Sequence, residues 1–178
     1  MKDRGFTLME VLVALALICV AALGGIQLVA VATGMMSRAR VDSLATGLAS
    51  SRMEQLRALR FEFDSTGVRV TDLATDISAQ PAAPGGSGLA ISGAAALDGN
   101  VPGAVDFLDR NGTWIGNGPS SPARTAFVRR WAIEATDAGG DLLVLQVLVR
   151  PVASGSAGGS QRVAGEVRLV TLRARTVR

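Results

Sequence analysis

Apolar and polar positions divide this 178-residue chain sharply near its start. A short charged leader, Lys2, Asp3 and Arg4, ends at Gly5. From Phe6 onward the chain is predominantly apolar, with one acid, Glu10, and no charged side chain from Val11 to Ser37. That run exceeds the roughly 20 residues a helix needs to cross a bilayer. Lys2 and Arg4 precede it, so the positive-inside rule predicts a cytoplasmic amino terminus and an exported remainder. A secretory signal peptide fits less well, because its apolar core spans about 7–15 residues and a small-x-small site closes it. Cys19 follows Ile18 where a lipoprotein needs a small residue. It is expected to be an apolar membrane residue, since free cysteine behaves as a small hydrophobe.

The helical period continues beyond the membrane segment. Val41, Leu44, Ala45, Leu48, Ala49, Leu56 and Leu59 fall on one side of a helical wheel over residues 38–60. Arg40, Asp42, Ser43, Ser50, Glu54 and Arg57 lie opposite, while Arg52 and Gln55 intrude on the stripe. The pattern predicts one helix of about 50 residues in two halves. Residues 6–37 form the transmembrane or assembly half, and residues 38–60 the amphipathic half that packs under a head. The stripe is short and interrupted by Gly47, which argues against a coiled coil. Gly24 and Gly25 weaken the apolar half by about 1 kcal/mol each relative to alanine. Two readings stay open there: a local melt that lets the helix stretch, and close helix packing through small residues.

Residues 61–178 suffice for one exported head with a single modest core. The segment 79–96, AQPAAPGGSGLAISGAAA, reads as a flexible loop. VDFLDRNGTWIG, from Val105 to Gly116, reads as a hairpin turning at Asn111-Gly112. Three strand candidates follow. Over Thr125–Thr136, Phe127, Trp131 and Ile133 share one face, with Arg129 intruding; DAGG, Asp137–Gly140, is a turn. Over Leu142–Val152, Leu143, Leu145, Val147 and Val149 share one face. A glycine-serine loop, 153–160, leads to Glu166–Thr176, where Val170, Leu172 and Ala174 share a face. Short connections favour an antiparallel meander whose apolar face covers the helix stripe. The expected class is α+β: a long amino-terminal helix packed against a carboxy-terminal antiparallel sheet.

Chemistry narrows the function. The chain has no histidine and no tyrosine, and its one cysteine lies in the apolar run. Most nucleophile–base pairs and transition-metal sites are thereby removed. No catalytic activity, metal or cofactor is expected. Asp106, Asp109 and Asn111 supply oxygen ligands, but their spacing fits no EF-hand loop, so they read as turn-forming polar residues. The glycines of 84–93 lack the strand-to-helix setting of a phosphate loop. The formal charge is +3. Arg168, Arg173, Arg175 and Arg178 are spaced to form a basic stripe with affinity for phosphate. Without aromatic interleaving, a solvated strand face that protects an edge is the preferred reading.

GFTLMEVLVAL, residues 5–15, resembles the cleavage and methylation motif of type IV pilins and type II secretion pseudopilins. Glycine, aromatic, Thr-Leu, a glutamate five positions into the mature chain and an aliphatic run all match. The resemblance covers about Met1 to Arg60. It implies a prepilin peptidase that cleaves after Gly5 and N-methylates Phe6. The leader would then be residues 1–5. It further implies that Glu10 meets the amine of a neighbouring subunit, setting register as the helix leaves the inner membrane for a filament. Two departures matter: no proline stands near Gly24, and the exported part has no cysteine to form a disulfide loop. Both depart from many major pilins, and the missing disulfide leans toward a minor subunit. EVLVALALI and the distal NG turn, RRW strand and LLVLQVLVRP strand resemble PilV-type pilus modification proteins. Those minor pilins are implicated in initiating assembly with other minor pilins and the major pilin, at or near the tip. The I-type minor pseudopilins share the EVLVAL start and are the runner-up. An adhesin or DNA-binding tip protein exported on a pilin leader is a third reading, for which DNA or a surface ligand has no sequence support. The implied route is single-pass in the inner membrane with a periplasmic head, then the pilus or pseudopilus.

Overall fold

Helix α1, Leu8–Ala58, dominates the amino-terminal part of the computed structural model, which describes residues 7–136, 138–152 and 165–177. The leader with Gly5 and Phe6, the turn residue Asp137, the glycine-serine loop 153–160 and Arg178 lie outside the described residues. Thr7 starts the helix: its Oγ1 accepts the Glu10 backbone N–H at 3.3 Å, the side-chain bond of an N-terminal cap. Thr7 and Glu10 have the spacing of a capping box. The helix runs unbroken through Gly24 and Gly25.

The chain forms two units, residues 1–40 and 41–178. In the first, every described side chain is exposed, and its helix is long and apolar enough to cross a membrane. In the second, the rest of α1 joins a β-rich head. Ala45, Ala49, Met53 and Leu56 are buried with Trp131, Leu145, Val147 and Val149 in one core. The chain is therefore α+β, as its periodicity predicts.

The main sheet has five antiparallel strands in the order β6-β5-β7-β8-β9. They are β5 (Val105–Leu108), β6 (Trp114–Asn117), β7 (Phe127–Ala135), β8 (Leu142–Pro151) and β9 (Val167–Ala174). The β5–β6 hairpin turns where Asn111-Gly112 predicts. Gly112 has φ +81°, which favours glycine in the turn, and a Cβ there would lie 3.1 Å from the Leu48 side chain, a tight fit against the helix. Two smaller sheets complete the head. In one, β1 (Phe61–Phe63) pairs with β2 (Arg69–Thr71) and, in parallel, with β10 (Thr176–Val177). The other pairs β3 (Thr75–Asp76) with β4 (Ala83–Pro84).

The segment expected as a flexible loop, 79–96, contains β4 and most of a short 3-10 helix, Ala94–Leu97. Leu89, Ala96 and Leu97 are buried, and Ser92 exchanges hydrogen bonds with the Ile133 backbone at 3.0 Å. This layer covers the outer side of β7, where Ala132 is fully buried.

One face assignment is overturned. Leu143, Leu145, Val147 and Val149 face the core as expected, but their partners across the ladder are Arg173, Thr171, Leu169 and Val167. Residues directly opposite in a ladder share a face. Val170 and Leu172 therefore point outward, 58% and 65% exposed. β9 carries aliphatic residues on both faces, so period-two reading could not choose. Arg173 settles the choice by reaching the end of α1, where its Nη1 donates to Leu56 O at 2.8 Å. Leu169→Asp should accordingly destabilise the head by about 1–3 kcal/mol, while Leu172→Asp stays within about 0.5 kcal/mol. Thermal denaturation of the two purified variants checks the inversion; equal losses would restore the opposite face.

Candidate functional site

Two sites emerge from the geometry, one at the head of α1 and one inside the globular unit. At the first, Thr7 holds the opening turn and Glu10 sits within it. An acid in a first turn opposes the positive end of the helix dipole. Among the described residues no ion pair engages Glu10. Gly24 and Gly25 lie further along the same exposed apolar helix, with nothing within 4 Å of a Cβ at either.

The second site is a buried charge node that sequence reading missed. Asp106, at the centre of β5, is fully buried. Arg129 of β7 grips it from one side: Nε donates to Oδ1 at 3.0 Å and Nη2 to Oδ2 at 2.8 Å. Arg52 of α1 donates to Asp106 Oδ2 from the other side and to the Ile77 carbonyl. Arg129 Nη1 also donates to Leu48 O at 3.0 Å, so the node ties β5 and β7 to the helix backbone itself. The Arg52 guanidinium stacks over the Trp131 ring, 4.4 Å from its centroid. Burial lowers the Arg52 pKa to about 10, and the Arg129 charge adds to the effect while Asp106 opposes it. Two cations face one anion here, an arrangement that holds elements in register and offers no nucleophile.

Asp109 does something different. Its carboxylate accepts the backbone N–H groups of Asn111 and Thr113 at 2.8 and 2.9 Å, which hold its pKa below the usual carboxylate range. Asp106 is therefore no turn residue. It lies within β5, fully buried, and shares its face of the ladder with Arg129, whose guanidinium it holds. The cluster of Asp106, Asp109 and Asn111 does not converge on a cation.

The arginines of the last strands, read as a solvated face with a basic stripe as the alternative, are largely tied to the rest of the head instead. Arg173 donates to Leu56 O in the last turn of α1, a group that a helix leaves unsatisfied, and to Leu59 O just beyond the helix. Arg175 packs on Phe61, 4.0 Å from the ring centroid, and donates to Val70 O and Thr71 Oγ1. It also shares Asp141 with Arg69, each Nε donating to Oδ1 at 2.8 Å. Hydrogen bonds from Arg69 first, and then Arg175, hold the Asp141 pKa down to about 2. Arg168 turns to the Gln146 amide oxygen, and Arg178 lies outside the described residues.

Residues 1–26 match the family model of the prokaryotic N-terminal methylation motif. No curated protein and no solved structure matches the chain. The motif, the long apolar helix behind it and the antiparallel head support a type IV pilin-like protein. They equally support membrane anchoring and a structural rather than catalytic role.

Two outcomes follow for the head. Asp106→Ala leaves two buried guanidinium groups without their carboxylate and should cost about 3–5 kcal/mol. Replacing all three members by apolar residues (Arg52→Met, Asp106→Leu, Arg129→Met) should recover most of that loss in denaturant titrations. Asp141 has a folded pKa depressed from 3.8, so its contribution is present above about pH 4 and lost as pH falls toward 2. Asp141→Asn should flatten that part of the acid-unfolding curve; an unchanged curve would contradict it.

Proposed function

We propose that the chain is a minor pilin, cleaved after Gly5 and N-methylated on Phe6, which joins other minor pilins to initiate a type IV pilus at or near its tip. The observation that carries this reading is the methylation motif over residues 1–26 together with an acid, Glu10, in the first turn of a long apolar helix. The chemistry is consistent from end to end. Gly5 presents an open, flexible backbone to the prepilin peptidase. Cleavage creates a cationic amine at Phe6, four residues before Glu10. In low dielectric an unpaired carboxylate or ammonium is costly, so an amine from the preceding subunit stabilises Glu10 only in the correct axial register. The exposed apolar side chains of residues 8–36 then exchange lipid for neighbouring helices. In the filament, Gly24 and Gly25 serve as a stretchable point or as a close-packing surface. The exported part has no cysteine, so no disulfide loop reinforces it, which favours a minor over a major subunit. A minor pseudopilin of type II secretion would use the same leader chemistry, and the EVLVAL start favours the I-type among these.

Mass spectrometry of the amino-terminal peptide, from membranes and from sheared surface filaments, tests the reading. The expected chain begins at N-methyl-Phe6 and occurs in both fractions. Gly5→Leu should leave only the precursor in membranes, and Glu10→Val should be cleaved yet depleted from filaments. Normal processing of the first variant, or wild-type filament levels of the second, would sink the proposal.

A further inference from the structure

The end of β3 opens onto a surface cleft of about 330 Å³ that lies outside the charge node. Asp76 and Ser78 line it, while Ile77 between them is buried and its carbonyl accepts from Arg52. Gly86, Ser87, Gly103 and Asn117 stand among the other walls. A Cβ at Gly86 would lie 2.2 Å from Asp76 Cα, so the chain after β4 passes the acid as bare backbone. Ser87 Oγ donates to Gly103 O at 3.3 Å. The polar groups of the cleft are held in place by one another. Asp76 Oδ1 accepts the Ser78 N–H at 2.8 Å and the Ser78 hydroxyl at 2.6 Å. Ser78, itself buried, accepts Asn117 Nδ2 on its Oγ at 2.8 Å. Asp76 Oδ2 and Asn117 Oδ1 are left without a donor among the described residues. Arg52 attracts Asp76, but no hydrogen bond joins the two.

We infer that this cleft binds a primary ammonium group, carried by a lysine side chain of a partner protein or by a free alkylamine. Its open groups are acceptors, and Asp76 is the single charged residue of the described lining, so an anion meets repulsion there. A guanidinium fork needs both oxygens of a carboxylate, and Ser78 already occupies one of them. A Ca²⁺ ion takes about 6–8 oxygen ligands, and a single carboxylate supplies little of the charge it needs. An ammonium is compact and carries three donors. Asp76 Oδ2, Asn117 Oδ1 and the Ser87 hydroxyl are the acceptors that the lining offers it. The alkyl stem behind the ammonium then lies over Pro102 and the glycine backbone. The site goes beyond the pilin reading and is independent of leader cleavage and filament entry.

Titration of the full chain in detergent micelles with n-butylammonium, read by the NMR shift of the Asn117 side-chain amide, tests the site. Tetramethylammonium has the same charge and no donor, and should bind about tenfold more weakly, because hydrogen bonds to charged groups are lost. Asp76→Asn keeps an oxygen for both Ser78 bonds and should weaken n-butylammonium binding by about tenfold. Ser87→Leu, at an exposed position of the wall, should fill the cleft and weaken binding to a similar extent with thermal stability unchanged. A Gly-Lys-Gly peptide with blocked ends separates the two sources. Tighter binding than n-butylammonium assigns the site to a partner protein's side chain, and weaker or equal binding assigns it to a free amine. Three results would overturn the inference: no saturable shift of the Asn117 amide, equal binding of tetramethylammonium, or an unchanged affinity in either folded variant. Processing at Gly5 is read separately, so failure here leaves the pilin reading standing.

Discussion

A single buried carboxylate, Asp106, holds the head together. Its two arginine partners come from different layers, Arg52 from α1 and Arg129 from β7. Arg129 Nη1 and Arg52 Nη1 also donate to the backbone carbonyls of Leu48 and Ile77, while the buried Arg52 Nε meets no acceptor among the described residues. The arrangement fixes both the rotation and the axial position of the helix on the sheet, because a guanidinium fork tolerates little displacement. An apolar contact would allow residues of similar size to slide. Taking charges out of water is expensive, so such a node adds little net stability when complete, while losing one member is severe. Its value to this protein is definition: one rotation and one axial position of residues 41–58 on the sheet.

Arginines perform the other structural tasks as well. Arg173 supplies the cap that the end of α1 lacks in its own sequence, and Arg175 bridges Phe61, β2 and Asp141. A head with no disulfide among its residues is thus braced by planar cations that reach several backbone carbonyls at once. Thr7 does the corresponding work at the first turn with a single hydroxyl.

The large features were legible because they repeat. The apolar run, the stripe of residues 41–59, the Asn111-Gly112 turn and the three long strands all follow from period and turn chemistry. The charge node was not legible as a whole, although its parts were visible. Arg52 broke the helix stripe, Arg129 broke the apolar face of its strand, and Asp106 sat in an otherwise apolar strand. Two misplaced cations and one misplaced anion point to each other only once the sheet order is known. β9 misled for the opposite reason: with aliphatics on both faces, periodicity carried no information, and a long-range contact from Arg173 decided. The leader needed no fold at all, since its meaning lies in a local string of residues.

The cap that Arg173 provides to Leu56 spans 117 residues of sequence. Contacts of such separation form late, since the intervening chain must first be closed into a loop. The carboxy-terminal end of α1 is therefore finished by a strand that lies far along the chain from it. Until β9 docks, the helix that carries the membrane-length apolar run lacks the cation that closes its last turn. Docking of β9 thus acts as a completion mark built into the fold: only a head in which β9 is in place gives α1 a finished end.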